Sequence, residues 1–292
     1  MKATIDCLEC IVRQALRAAR QATDDPAIQR AIVEAAARRL PELDLAASPA
    51  TISLVAYDEA RRLSGNADPY RDAKREQNAM VLAIEDDLRS LVRNSEDPLA
   101  AALHLAAAGN VIDLGTTAAE DIDIQAAIDR VMHERFAVDH TAAFRVSLEG
   151  CQDLLYLLDN AGEVVFDKIL IEVLQEHTRV TAVVKAGPII NDVTREDAEQ
   201  VGLTEICDVI DNGGAFVGSP LALVPETFLD RMRAADVIIG KGQGNYETVD
   251  DFPGDVFLIL KAKCEIVARH MGVTLGQVAL ISTRLRAGNG PQ

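Results

Sequence analysis

Three stretches of this sequence hold the residues best suited to chemistry: Asp159-Asn160-Ala161-Gly162-Glu163, Asn191-Asp192 and Gly240-Lys241-Gly242-Gln243-Gly244-Asn245. Asp159, Asn160 and Asp192 offer oxygen ligands only. Such a set suits hard divalent cations such as Mg²⁺ or Mn²⁺ better than thiolate-preferring metals. Glycines let backbone N–H groups approach an anion closely, and Lys241 adds positive charge. A divalent cation, an ammonium and backbone donors together suit a phosphoryl group. Lys185-Ala186-Gly187-Pro188, Asp211-Asn212-Gly213-Gly214 and Lys261-Ala262-Lys263-Cys264 extend the pattern. Taken singly, each stretch has an ordinary explanation. Asp-Asn-Ala-Gly reads as a turn with a helix cap, Asn191-Asp192 as a cap for the helix after Thr194, and Asp211-Asn212-Gly213 as a plain turn. Residues 240–245 are no Walker A loop, because the lysine is misplaced and no Ser or Thr follows it.

Position gives the set its weight. Short apolar runs at 154–158, 180–184, 207–210, 237–239 and 256–260 read as strands, and each runs directly into one of these polar stretches. Amphipathic stretches over 163–176, 194–201, 225–234 and 264–271 read as helices between them. Continuous apolar strands alternating with helices predict a parallel sheet covered on both faces. Ligands of open parallel sheets bind beyond the carboxyl ends of the strands, so one rim should gather the carboxylates, amides, lysines and glycines.

The earlier residues read as helical. Cys7, Ile11, Leu16 and Ala19 share one helical face. Asp25-Pro26, Ser48-Pro49, Asp68-Pro69 and Asp97-Pro98 each join a capping side chain to a proline suited to the first helical position. Ile52, Val55, Ala56 and Leu63 follow the second signal; Met80, Ile84, Leu88 and Leu91 follow the third. Gly65 and Gly109 stand where helix C-caps belong, and Ile124, Ile128, Val131 and Met132 imply another helix. The expected fold is α/β: a Rossmann-like parallel sheet covered by helices, with an amino-terminal all-helical region. The expected division is a helical region over 1–145 and an α/β metal- and phosphate-binding domain over 146–292. No Pro/Gly-rich linker separates them.

Composition narrows the function. The chain has 292 residues, 49% of them hydrophobic and 26% charged, which is ordinary for a packed domain. Its 29 Lys+Arg against 46 Asp+Glu give a net charge of −17 with no basic run, which argues against nucleic acid as a partner. An anionic substrate would need a local cation, either bound metal or placed lysines. Trp is absent and aromatics are 4%, which weakens any case for stacking on bases or sugars. No apolar run approaches the ~20 residues needed to cross a bilayer, so no membrane partner is expected. Five cysteines, an odd number, and no apolar leader at the start predict a reducing, cytoplasmic setting. Cys7-x-x-Cys10 reads as half a metal site, a redox pair or two small core residues. No second C-x-x-C or nearby His completes a zinc tetrahedron. The histidines lack metalloprotease spacing, and no G-x-S-x-G frames a serine nucleophile.

Together these residues resemble the metal-dependent damage-control phosphatases, known also as domain of unknown function eighty-nine. The resemblance runs the full length. It is carried by Cys7-Leu8-Glu9-Cys10, Asp68-Pro69-Tyr70 with Lys74 and Asn78, Gly109-Asn110 with Asp113, Asp159-Asn160-Ala161-Gly162-Glu163, Lys185 with Asn191-Asp192, Asp211-Asn212-Gly213, Gly240-Lys241-Gly242 with Asn245, and Lys261-Ala262-Lys263-Cys264. The amino-terminal C-x-x-C is similar to the stand-alone microbial branch. The resemblance implies a divalent cation (Mn, Mg, Co or Ni) held by Asp159, Asn160 and Asp192, and it maps Lys241 to the lysine that meets the phosphate. Gly-Gln-Gly-Asn follows that lysine here, where sugar-phosphate relatives carry an acidic residue and a leucine before the Asn. The resemblance therefore leaves the substrate open.

The expected activity is divalent-metal-dependent phosphomonoester hydrolysis on small phosphorylated metabolites, damaged or side-product phosphates among them. Asp159, Glu163 and Lys241 are the expected catalytic residues, and Lys185, Asp211, Asn212, Lys241 and Asn245 the expected substrate contacts. Glu163 either orients water and takes its proton, or is only a first-turn carboxylate favoured by the helix dipole. Direct attack by Asp159 stays open, although the D-x-D of aspartyl-phosphate enzymes is missing. Two other classes compete. One is an adenosylmethionine- or nucleotide-binding enzyme with Asp211 on a ribose, weakened by the absence of G-x-G-x-x-G. The other is a metal- or redox-responsive module built on Cys7 and Cys10. Whether the chain is a monomer or a homo-oligomer is left open.

Overall fold

The computed structural model describes residues 1–111 and 135–287. The helix expected through Ile124, Ile128, Val131 and Met132 lies outside them, as does Asp113. The first three helices are α1 (Asp6–Ala22), α2 (Pro26–Arg39) and α3 (Pro49–Ser64). The first two expected start signals work as read. Asp25 accepts the Ala27 N–H at 2.8 Å with Pro26 in the first turn of α2, and Ser48 accepts the Thr51 N–H at 3.1 Å with Pro49 in the first turn of α3. Gly65 closes α3 at φ +68°, a left-handed conformation that costs glycine little. Ile11, Ala15, Ala36, Val55 and Ala56 form the core of this three-helix unit.

The third signal works differently. Asp68 accepts the Tyr70 N–H at 3.3 Å, and α4 (Arg71–Leu82) begins after Tyr70 rather than at Pro69. The stretch expected as one helix through Met80 and Leu91 is two, because the chain turns at Ala83-Ile84 and α5 (Glu85–Arg93) starts afresh. Glu85, Asp86 and Asp87 fill the first turn of α5, where the positive end of the helix dipole favours carboxylates. Asp97 accepts the Ala100 N–H at 3.1 Å and opens α6 (Pro98–Val111). Gly109 lies inside α6 and does not cap it. A Cβ there would stand 3.0 Å from Phe166 and 3.4 Å from the Glu163 Cα, so glycine permits a close helix–helix approach at this point.

The sheet half follows as α7 (Thr141–Leu148), β1 (Asp153–Leu157), α8 (Glu163–Leu174), β2 (Arg179–Val184), α9 (Arg195–Gln200), β3 (Asp208–Asp211), α10 (Glu226–Ala234), β4 (Val237–Lys241), α11 (Gly242–Val249), β5 (Val256–Lys261), α12 (Glu265–Met271), β6 (Val278–Ser282) and α13 (Thr283–Ala287). Strand order is β3-β2-β1-β4-β5-β6. All neighbours are parallel except β6, which runs antiparallel to β5. Leu154 pairs with Val180 on one side and Val237 on the other, so the strand order reverses at β1 and opens a crevice between the ends of β1 and β4.

Alternate strand residues enter two cores. Leu154, Tyr156, Ala182 and Ile239 face α4 to α8; Leu155, Leu157, Val183 and Ile238 face α10 to α12. The first core runs unbroken from Val81 and Leu88 through Phe166 to the strands, so α4 and α5 pack with the sheet. The unit of α1 to α3 keeps clusters of its own and reaches the rim beyond β2, where Arg61 donates to the Pro188 C=O at 3.1 Å. Among the described residues, no helix is long and apolar enough to cross a membrane.

Candidate active site

The loops after β1 and β2 are fastened to each other by backbone. The Val193 N–H donates to the Asp159 C=O, and the Ala161 N–H donates to the Asn191 C=O, both at 2.8 Å. Asn160 and Asp192 pair as a short antiparallel bridge. Ile190 takes φ +44°, the one non-glycine at positive φ among the described residues. A β-branched residue held there costs about 1–3 kcal/mol and marks a position the surroundings enforce. It turns the corner that delivers Asn191 and Asp192 to the β1 loop. The Asn160 side-chain amide donates to Asp159 Oδ2 and Glu163 Oε1, both at 2.8 Å, leaving its Oδ1 as the remaining acceptor. From the other side, Gly242 at φ +75° comes so near Asp159 that a Cβ would lie 1.8 Å from Oδ2.

Asp159, Glu163 and Asp192 are all buried. Burial pushes the Asp159 carboxyl well above the usual carboxylate range, repulsion from Glu163 and Asp192 adds to this, and Lys263 and Lys185 oppose it. Burial likewise raises Asp192 to about 6, against the pull of Lys185. Lys185 Nζ lies 3.5 Å from Asp192 Oδ2 and donates to the Gly218 C=O at 2.8 Å. Asp192 Oδ2 is buried with no hydrogen-bond partner. Repelling carboxylates, an oxygen with no hydrogen bond and an amide acceptor form a donor set that fits a hard divalent cation. Among the described residues, no three His, Cys, Asp or Glu side chains converge as a ready-made metal cage. The oxygen set here has two carboxylates and one amide.

Lys241 sits elsewhere than expected. It is fully buried, donates to Asp167 Oδ1 at 2.6 Å and stands 3.9 Å from Glu163 Oε2. Tyr156 donates to the same Asp167 oxygen at 2.8 Å. Burial raises Asp167 to about 6, and the Lys241 ammonium holds it back. Lys241 therefore underlies the carboxylate floor and does not line the cavity; the lysine in the cavity wall is Lys263. Asp167 escaped the sequence reading. Its signal was a lone carboxylate one turn beyond Glu163 in an apolar helix, where burial demands a partner.

Three expected substrate contacts are also placed away from the cavity. Asp211 is exposed and accepts the Gly213 N–H at 2.9 Å, an ordinary turn. Asn212 donates to the Gly218 C=O at 3.2 Å and accepts the Gly214 N–H at 3.3 Å. Asn245 donates to the carbonyls of Lys241 (2.8 Å) and Leu158 (3.2 Å), tying the end of β4 to the end of β1. None of the three borders the cavity. Lys185 acts from behind Asp192. Asn78 and Lys74, which carried the resemblance without a role, brace the site: Asn78 accepts the Gly162 N–H at 2.7 Å, and Lys74 pairs with Asp197 at 2.9 Å.

The cavity between the rim and helices α1 and α3 measures about 740 Å³. Asp159, Asn160, Glu163, Asp192 and Lys263 border it from the sheet; Cys7, Cys10, Arg17 and Tyr57 border it from the helical side. The Damage-control phosphatase ARMT1-like domain matches residues 3–278. The chain belongs to this damage-control phosphatase family. It is 33% identical over 290 residues to a damage-control phosphatase of Pyrococcus horikoshii, covering 98% of this chain and 100% of that one. A damage-control phosphatase of Archaeoglobus fulgidus is 29% identical over 285 residues, covering 95% and 98% of the two chains. An uncharacterized protein of Methanocaldococcus jannaschii is 33% identical over 287 residues, covering 94% of each. The crystal structure of a DUF89 family protein from Pyrococcus horikoshii is similar with a TM-score of 0.89 at 33% identity, covering 97% of this chain and 99% of that one. Membership places the chain among phosphatases, as the sequence resemblance implied, and favours that class over the nucleotide-binding and redox-module readings.

Proposed function

We propose that the protein is a divalent-metal-dependent phosphomonoesterase acting on small phosphorylated metabolites. The observation that carries this reading is the meeting of Asp159, Asn160, Glu163 and Asp192 in one cavity at the switch point of the sheet, with Lys263 in the same wall. Asp159, Asn160 and Asp192 would hold the cation. When bound, it supplies Lewis-acid charge to a phosphoryl oxygen and lowers the pKa of water beside it.

The remaining chemistry belongs to the chain's own groups. Asn160 is oriented by its two carboxylate acceptors, so its free oxygen is fixed before substrate arrives. Lys263 places an ammonium where charge spreads over the transferring phosphoryl group. Glu163, held by the Asn160 amide at the start of α8, orients the attacking water and takes up its proton. Asp159 is fixed by Asn160 and crowded by Gly242, an arrangement that suits a ligand better than a nucleophile, so water is the proposed attacking group. Lys241 and Asp167 carry the floor without touching substrate. The cavity is of a size that encloses a small phosphorylated metabolite.

The test is a phosphatase screen with Mg²⁺, Mn²⁺, Co²⁺ and Ni²⁺ on p-nitrophenyl phosphate and a panel of sugar and nucleotide phosphates. Chelation should abolish turnover and metal should restore it. Asp159→Asn and Asp192→Asn should be inactive while keeping the wild-type circular dichroism spectrum. Full turnover in Asp159→Asn would overturn the metal assignment.

A further inference from the structure

The motif left unused by this reading is Cys7-x-x-Cys10. We propose that Cys7 and Cys10 are a modification site in the cavity wall, a dithiol that closes reversibly to a disulfide by exchange with a small-molecule disulfide and slows the phosphatase when closed. The effect on turnover rests on the proposed phosphatase activity; the disulfide does not.

Both cysteines are free thiols in the first two turns of α1, three residues apart. Helix geometry sets such Cα atoms about 5 Å apart, inside the range a disulfide spans. Each sulfur receives a donor: the Thr4 N–H on Cys7 Sγ at 3.4 Å, and Gln14 Nε2 on Cys10 Sγ at 3.1 Å. Such donors stabilise negative charge as it develops on sulfur during exchange. The other cysteines are poorer candidates, since burial pushes the Cys151 and Cys264 thiols up and Cys207 to about 11.

Burial also sets the order of events. Cys7 is buried and Cys10 half-buried, so Cys10 meets the reagent first. Its thiolate attacks one sulfur of the incoming disulfide, forming a mixed disulfide and expelling one thiolate. The Cys7 thiolate then attacks Cys10 Sγ and expels the second. Two cysteine sulfurs are oxidised, the reagent disulfide is reduced to two thiols, and the two cysteine protons pass to them.

A hydrogen-bonded chain joins this pair to the site. Tyr57 donates to Gln14 Oε1 at 2.7 Å, and Gln14 in turn donates to Cys10 Sγ. Tyr57 borders the same cavity and lies within electrostatic reach of Asp192. Closing the disulfide turns Cys10 Sγ toward Cys7, withdraws the acceptor from Gln14 and releases the Gln14–Tyr57 pair beside Asp192.

The experiment treats the full-length protein with oxidised glutathione. Intact mass should fall by about 2 Da with no glutathione retained. Peptide mapping should find the bridge between Cys7 and Cys10. Turnover of p-nitrophenyl phosphate should fall about fivefold or more and return with dithiothreitol. Cys7→Ser and Cys10→Ser should lose the response, each variant's turnover with oxidised glutathione matching its own turnover in reductant. A lasting glutathione adduct without closure, a bridge to Cys264, or an equal loss of turnover in Cys7→Ser would overturn the proposal. Mapping of the wild-type chain decides the bridge even where Cys7→Ser fails to fold. A reduced protein inactive on every phosphomonoester would sink the phosphatase reading and the gating with it, whereas closure read by mass would still establish the site.

Discussion

Gly242 makes the sharpest demand of any single residue. Its positive φ and its contact with Asp159 both exclude a side chain. Gly242→Ala should push the carboxylate out of register and cost about a hundredfold or more in kcat, because misplacement by about 1 Å is that expensive at a reacting centre. Steady-state kinetics with saturating metal checks this. Lys241 makes a different demand. Lys241→Met leaves Asp167 buried with an uncompensated charge, so unfolding in urea should show a loss of about 3–5 kcal/mol. Adding Asp167→Leu should recover much of that loss, a recovery that a phosphate-binding lysine would not show. The meeting of Asp159, Asn160 and Asp192 was legible in the sequence because strand ends of parallel sheets expose their polar residues to one rim. Lys241 was visible as a cation, but its partner was not: a sequence shows that an ammonium is present at a strand end, and only packing decides whether it points to the cavity or beneath it. Asp167 stayed hidden for the same reason, and nothing in Lys261-Ala262-Lys263 says which of the two lysines reaches the wall.

Elements show where pattern and packing part company. The five parallel strands were readable because buried parallel strands are continuous apolar runs. The antiparallel β6 was missed; α12 lies between it and β5, and the chain then returns to pair antiparallel with that same strand. α11 was not among the expected helices, and its glycines at 242 and 244 disfavour helix by about 1 kcal/mol each. Tertiary contacts overrule them: Asn245 and Tyr246 are fully buried, and the helix starts directly on the last residue of β4. α11 also carries Glu247, whose carboxyl is raised to about 7 by burial against a hydrogen bond from Gln243. With its folded value above the ordinary 4.5, the native state holds the proton more tightly than the unfolded chain. Stability should therefore fall as pH rises from the ordinary value through 7. Glu247→Gln should match wild type near pH 4 and exceed it by up to about 3 kcal/mol near pH 8.5. Urea midpoints of both proteins at the two values test the sign.

At the scale of the molecule, an acidic chain gathers still more negative charge in the cavity it uses. The net charge of −17 and the buried trio of Asp159, Glu163 and Asp192 act in the same direction. The proposed divalent cation would relieve that repulsion only in the folded state. Mn²⁺ at about a hundred times its dissociation constant should stabilise the protein by about 2.7 kcal/mol. Differential scanning calorimetry should show this as a higher melting temperature, absent in Asp192→Asn. The general architecture was legible because apolar period and capping signals are local. The way α4 and α5 share a core with the sheet was not, since nothing in their own sequence says which surface covers them.

The backbone link between the β1 and β2 loops has one further consequence. Because Ala161 donates to Asn191 and Val193 donates to Asp159, neither loop can open alone. Those two amide protons should exchange with deuterium at a common rate, and that rate should slow in step with cation occupancy. They would report the loading of the centre without any substrate being turned over.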